Sequence, residues 1–121
     1  MKKHKICMSE LIQKKIRQYL VHSFLYYQLD ESIIEDRHYD QICKEVWKLL
    51  KNHTNPSILP YHELVKKNLF EDASGFSVKQ YPAEIISSAF HLLYQHNGVE
   101  STTFDSFLAR FGYTISDTTY A

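Results

Sequence analysis

The chain has 121 residues, of which 44% are hydrophobic and 23% charged, and its formal net charge is zero. A chain of this length accommodates one domain with one core, and its neutral balance excludes a protein that binds polyanions through bulk charge. Nine Tyr and seven Phe against three Gly and three Pro favour long helices over a turn-rich sheet.

Membrane and secretion signals are not evident in the sequence. No apolar run is long enough to span a bilayer, and Lys2, Lys3 and Lys5 are not followed by the apolar segment of a secretion signal. Cys7 and Cys43 lie in no C-x-x-C motif and are expected to be free thiols. We therefore expect a single all-α domain over residues 1–121, located in the cytoplasm, with its oligomeric state left open.

The first long helix is predicted over residues 9–28. Its apolar residues recur at three- and four-residue steps and form one stripe, which consists of Leu11, Ile12, Ile16, Leu20, Val21, Phe24 and Tyr27. Lys14, Lys15 and Arg17 fall on another side of this helix. They predict a basic face that contacts a partner protein or, as the weaker alternative, nucleic acid. A solvated helix face explains the same residues without a partner.

A short acidic loop separates this helix from a second one, predicted over residues 36–51. Asp30, Glu31 and Glu35 in the loop are further candidates for contact with a partner. Asp36 is a suitable N-cap, because its carboxylate can accept from the free N–H groups of the first turn. Trp47 lies beside the predicted core stripe and is expected to pack under the first helix. The short connection predicts an antiparallel hairpin.

Three further helices are predicted in the remainder of the chain, at about residues 60–70, 82–97 and 102–111. Each has apolar residues at helical spacing, and together with the hairpin they would form one small bundle. Residues 101–103 are expected to cap the last helix, and a short extended piece is predicted at 76–78. Residues 114–121 are polar and are expected to fray.

Aromatic and acidic side chains coincide where the two hairpin helices meet. Asp36, Tyr39 and Asp40 share one face of the second helix, and Tyr26 and Tyr27 approach from the first. Phenol faces can stack on a cationic ring, and carboxylates accept hydrogen bonds from ribose hydroxyls. The pattern therefore suits a nicotinamide nucleoside. A helix cap and an ordinary helix–helix contact would account for the same residues without a ligand.

The order of these residues resembles a known family. Tyr26-Tyr27, Asp30, the run from Asp36 to Asp40 (Asp-Arg-His-Tyr-Asp) and the spacing from Ile42 to Glu45 are similar to the N-terminal helical domain, domain Ia, of NAD-dependent DNA ligases. The resemblance extends over residues 9–55. It implies that the hairpin binds the nicotinamide mononucleotide half of NAD, with Tyr26 and Tyr39 stacked on the nicotinamide and Asp36 and Asp40 on ribose or amide groups. Tyr27 replaces a His that the family often has, and Ser32 replaces its loop Pro.

Enzymatic activity is not expected. The chain has no Lys-x-Asp-Gly nucleophile motif and is too short for an adenylation domain, so it is not a ligase. No H-x-x-x-H pair or glycine-rich phosphate loop is present in the sequence, and no metal site is expected.

Two functions follow from these observations. The first is a small non-catalytic regulator or inhibitor that binds another protein on a ligase-like helical scaffold. The composition is similar to that of phage and mobile-element proteins directed at host defence or nucleic-acid enzymes. The alternative is a stand-alone module that binds nicotinamide mononucleotide or NAD; no other cofactor is expected.

Overall fold

A computed structural model describes residues 8–52, 61–65, 81–96 and 103–119, and within these ranges the chain is all-α without a strand. The fold class predicted from the sequence is confirmed. None of the helices in these ranges is long and apolar enough to cross a lipid bilayer. The helical elements, in chain order, are α1 (Met8–Ser23) with a π-helical turn (Phe24–Gln28), α2 (Asp36–Asn52), α3 (His62–Val65), α4 (Ala83–His96), α5 (Phe104–Ala109) and a 3-10 turn (Ile115–Thr118).

Helices α1 and α2 form the predicted hairpin. Ser23 contacts Tyr39, while Lys15, two turns earlier on α1, reaches Glu45, two turns later on α2. The two helices are therefore antiparallel. The buried residues of the two facing stripes are Ile12, Ile16, Tyr19, Leu20, Phe24, Tyr39, Ile42, Cys43, Val46 and Leu50.

Helix α4 packs against the other side of α1 through aromatic rings. Phe24 makes edge-to-face contacts with Tyr81, Phe90 and Tyr113, with ring centroids 5.2, 5.7 and 5.8 Å away. Phe90 continues the cluster to Phe107 of α5 at 6.4 Å. Such edge contacts are favourable beyond the area they bury. The high aromatic content of the sequence thus fills the space between α1, α4 and α5.

Two ion pairs connect α1 to its neighbours. Lys15 Nζ lies 3.0 Å from Glu45 Oε1 on α2, and the Arg17 guanidinium bonds to Glu84 on α4. Both pairs are partly exposed, so each adds modestly to stability. Their geometric effect is to hold α1 against two different helices.

The start of α2 corrects one sequence-based prediction. Asp36 is the first residue of the helix, and the backbone N–H of Tyr39 donates to the carbonyl of Glu35 at 3.0 Å. Glu35 therefore occupies the N-cap position that was predicted for Asp36. The Asp36 carboxylate is left to contact other groups.

Trp47 also lies elsewhere than predicted. Its side chain is 41% exposed on the outer face of α2 and does not pack under α1. Val46 and Leu50 are fully buried towards α1, and Trp47 is rotated about 100° around the helix axis from Val46. The stripe facing α1 is therefore filled without it.

The segment after α5, which the sequence predicts to fray, contains a 3-10 turn at Ile115–Thr118. The backbone N–H of Thr114 donates to Asp117 Oδ2 at 2.8 Å, and the Thr118 hydroxyl donates to the Ile115 carbonyl at 2.8 Å. Thr118 is buried, and the 3-10 turn packs on α4. These local bonds and that contact offset the entropy cost of ordering the segment.

The boundaries of the remaining helices agree with the predictions where the structure describes them. Thr103 caps α5, since its hydroxyl accepts from the backbone N–H of Ser106 at 3.2 Å. Helix α3 lies inside the range predicted at 60–70. The rest of that helix, the extended piece at 76–78, Cys7 and residues 120–121 lie outside the described residues.

Candidate functional site

Tyr26 and Asp36 face each other where the π-helical turn meets α2. The charge of the Asp36 carboxylate raises the pKa of the Tyr26 phenol, and desolvation and a hydrogen bond to the same carboxylate add to the shift. Asp40, one turn further along α2, contributes in the same direction. The Asp36 carboxylate therefore lies beside the Tyr26 phenol, and the Asp40 carboxylate is near enough to influence it.

Tyr26, Tyr27, Tyr39 and Tyr19 form a continuous group of rings, here called the tyrosine cluster. Tyr26 and Tyr27 are stacked, with centroids 4.6 Å apart and an interplanar angle of 18°. Tyr39 is tilted against Tyr26 at 5.6 Å and stacked with Tyr19 at 6.3 Å. The cluster links the end of α1 to the first turn of α2.

Tyr39 is a core residue of this cluster. Its side chain is 3% exposed, and its hydroxyl lies 2.6 Å from the hydroxyl of Ser23. Burial raises the pKa of the Tyr39 phenol far above its usual range, so the group stays neutral. The stacking of a nicotinamide on Tyr39 that the family resemblance implies does not fit this arrangement, because neighbouring side chains cover the ring.

The π-helical turn sets the positions of Tyr26 and Tyr27. A π-turn has one more residue per hydrogen-bonded ring than an α-turn and often occurs at functional sites. It ends with the backbone N–H of Leu29 donating to Phe24 O at 3.2 Å, and Asp30 then turns the chain with a positive φ of 55°. The resulting rotation about the helix axis could not be deduced from residue types.

The predicted partner-binding residues divide into two groups. Asp30 and Glu35 are exposed in the loop, Glu31 is partly buried there, and all three could be reached by a partner. The basic face of α1 is different, because two of its three cations bond to other helices. Lys15 pairs with Glu45 and Arg17 with Glu84, so these two side chains hold the bundle together.

Lys14 is exposed on the same helix and remains accessible to a partner. One accessible lysine provides few phosphate contacts. A nucleic-acid surface on α1, as the basic face predicted, is therefore disfavoured.

A groove that the sequence analysis did not identify runs along the outer face of α2. We call it the Trp47 groove. It has a volume of about 710 Å³. The described residues that line it are Asp40, Cys43, Lys44, Trp47, Lys48, Lys51 and Asn52. Lys44, Trp47, Lys48 and Lys51 recur at three- and four-residue steps, a pattern visible in the sequence once Trp47 is placed outside the core.

A lysine side chain contacts the tryptophan ring inside the Trp47 groove. The ammonium of Lys51 lies 4.4 Å from the centroid of the Trp47 ring, within cation–π distance. Cys43 lies at the base of the groove as a buried free thiol, and burial raises its pKa to about 11. At neutral pH this thiol is protonated, which makes it a small apolar surface and a poor nucleophile.

Other kinds of site find little support in the described parts of the chain. Within residues 8–52, 61–65, 81–96 and 103–119, no group of three or more His, Cys, Asp or Glu side chains could hold a metal ion. Comparison with known proteins adds no further candidate. No family model, curated protein or solved structure matches this chain.

Proposed function

We propose that this chain is a small non-catalytic regulator or inhibitor, active in the cytoplasm, that acts by binding another protein through the Trp47 groove. The observation that carries the proposal is the 41% exposure of Trp47 on the wall of a groove of about 710 Å³. Tryptophan is among the residues most enriched at the energetic centres of protein interfaces. An exposed indole beside a large concave surface is therefore suited to anchor a partner.

The contribution of Trp47 to binding can be estimated from area. Covering the exposed part of an indole removes on the order of 100 Å² from water, which corresponds to about 2.5 kcal/mol. A loss of this size upon truncation is typical of an interface hot spot. Trp47 is thus the first residue to replace.

Affinity capture from bacterial lysate, followed by mass spectrometry, tests the proposal. The wild-type chain is expected to retain a stoichiometric partner that Trp47→Ala loses. Leu92→Ala is a matched control, because Leu92 is an apolar residue of α4 with a similar exposure of 37%. Far-UV circular dichroism verifies that both variants fold. Capture of no stoichiometric protein, or equal capture by Trp47→Ala, would refute the proposal.

Binding of nicotinamide mononucleotide or NAD is the second candidate. It is favoured by the pairing of Tyr26 with Asp36 at a partly exposed position, with Asp40 one turn away. Because Tyr39 is buried, only the Tyr26–Tyr27 stack offers rings to a ligand. Such a site would be smaller than the one the resemblance implies.

Calorimetry with nicotinamide mononucleotide and with NAD separates the two candidates. If the second is correct, Tyr26→Ala and Asp40→Asn each weaken binding, whereas Trp47→Ala has no effect. Absence of heat at millimolar ligand for the wild-type chain removes this candidate and leaves the first unaffected.

A further inference from the structure

We infer that the Trp47 groove receives an acidic amphipathic helix of the partner protein, with apolar side chains against Trp47 and carboxylates on the lysines. The inference rests on the proposed function and specifies the chemistry of the partner. It is carried by the arrangement of charge and apolar surface along α2.

The positive charges of the groove are regularly spaced. Lys44, Lys48 and Lys51 are all exposed and lie on the side of α2 that carries Trp47. They extend over about 10 Å of the helix axis, the length of two helical turns. Acidic residues one and two turns apart on a partner helix would match this spacing.

The helix dipole does not account for these lysines. Cations are favoured in the last turn of a helix, and the effect fades beyond it. Helix α2 ends at Asn52, so Lys51 lies in its last turn, whereas Lys44 and Lys48 precede that turn. The row of lysines therefore extends further along α2 than the helix dipole explains.

The size of the groove is sufficient for side chains inserted from a partner helix. Its volume of about 710 Å³ is comparable to that of pockets that enclose whole ligands. Helix-in-groove recognition places apolar anchors at three- and four-residue steps into such a surface. Trp47 and the buried, protonated Cys43 provide the apolar contact, and the lysines lie beside it on the same helix.

Single-stranded nucleic acid fits the groove less well. Proteins that bind single strands stack successive bases on several aromatic rings, whereas Trp47 is the one aromatic residue among the described residues that line this groove. Three lysines would also give weak, salt-sensitive binding on a chain without net positive charge.

Fluorescence of Trp47 tests the inference directly, because it is the only Trp in the chain. The probe is a Trp-free synthetic peptide of about 16 residues, long enough for four helical turns, with Leu at three- and four-residue steps and Glu at the flanking positions. A matched peptide has Lys in place of each Glu. The acidic peptide is expected to shift Trp47 emission and to bind at least about tenfold more tightly than the basic one.

Charge reversal in the protein provides the decisive comparison. The double variant Lys44→Glu/Lys48→Glu is expected to reverse the preference between the two peptides. Lys44→Gln/Lys48→Gln removes charge but keeps long side chains, and is expected to abolish the preference. Lys14→Glu makes a similar change on an exposed lysine of α1 and should leave it intact. Circular dichroism verifies the fold of each variant.

Three results would overturn the inference. They are equal affinity for the two peptides, persistence of the preference in Lys44→Glu/Lys48→Glu, and binding of oligothymidylate in preference to the acidic peptide. Lysate capture tests the proposed function separately from the acidic-helix inference. If capture depends on Trp47 but not on the lysine charges, protein binding stands and the acidic helix is wrong. If no Trp47-dependent partner is captured, the proposed function itself is wrong.

Discussion

The hydroxyl groups of Ser23 and Tyr39 lie 2.6 Å apart in the interior of the hairpin, where Ser23 is fully buried. The bond joins the last residue of α1 to the first turn of α2. Buried hydroxyls without partners are costly, so each of these side chains makes the burial of the other tolerable. The pair therefore fixes how the two helices meet at the end where Tyr26 faces Asp36.

Replacement of either hydroxyl is expected to destabilise the fold. Tyr39→Phe and Ser23→Ala should each cost about 1–2 kcal/mol, because the remaining hydroxyl loses one of its hydrogen-bond partners in a buried position. The double variant should cost less than the sum of the two by about 1 kcal/mol. Urea denaturation followed by circular dichroism measures all three. Strict additivity would show that the two hydroxyls do not interact.

The ion pair between Lys15 and Glu45 should contribute only weakly to stability. The side chains are 28% and 37% exposed, so Lys15→Met is expected to cost about 0.5 kcal/mol, and less at high salt. The hydrogen bond from Lys15 lowers the pKa of Glu45, so the contribution is present at neutral pH and lost as the pH falls through the carboxylate range.

Unfolding curves at neutral and acidic pH, at low and high salt, measure this contribution. Lys14→Met is the matched control, since Lys14 is exposed on the same helix. A cost for Lys15→Met that does not change with salt or pH would indicate packing of the lysine stem and not an ion pair.

His22 is expected to give folding stability a second dependence on pH. Its Nδ1 atom is buried and has no hydrogen-bond partner in the described part of the chain, and burial, followed by repulsion from His38, lowers its pKa. The unfolded chain therefore binds this proton more readily than the folded one. Stability should be fully present above the usual histidine pKa and should decrease as the pH falls below it.

His22→Phe removes the titrating group and should flatten the stability profile below neutral pH. His96→Gln is the control, because His96 is exposed at the end of α4. Thermal unfolding across mildly acidic pH measures both. An identical slope for His22→Phe and the wild-type chain would rule out His22 as the source of the pH dependence.

The fold was largely predictable from apolar spacing. Ile42 and Val46 on α2, and Ile16 and Leu20 on α1, are buried as their positions in the two stripes required. The ion pairs of Lys15 and Arg17 were not predictable, because their acidic partners lie on other helices and in distant parts of the chain. Trp47 was misplaced because it borders the stripe, where residue type favours burial but the available space is already filled.

The last prediction concerns the 3-10 turn that was expected to fray. Asp117 accepts from both the backbone N–H and the hydroxyl of Thr114, at 2.8 and 3.2 Å. Asp117→Ala removes this cap and should cost about 1 kcal/mol, a typical value for a lost helix cap. Amide hydrogen exchange at residues 115–119 should accelerate in the variant.

The control is Glu35→Gln, because the Glu35 side chain is 82% exposed; this variant should leave that exchange unchanged. Fast exchange at these amides already in the wild-type chain would show that the turn does not persist in solution.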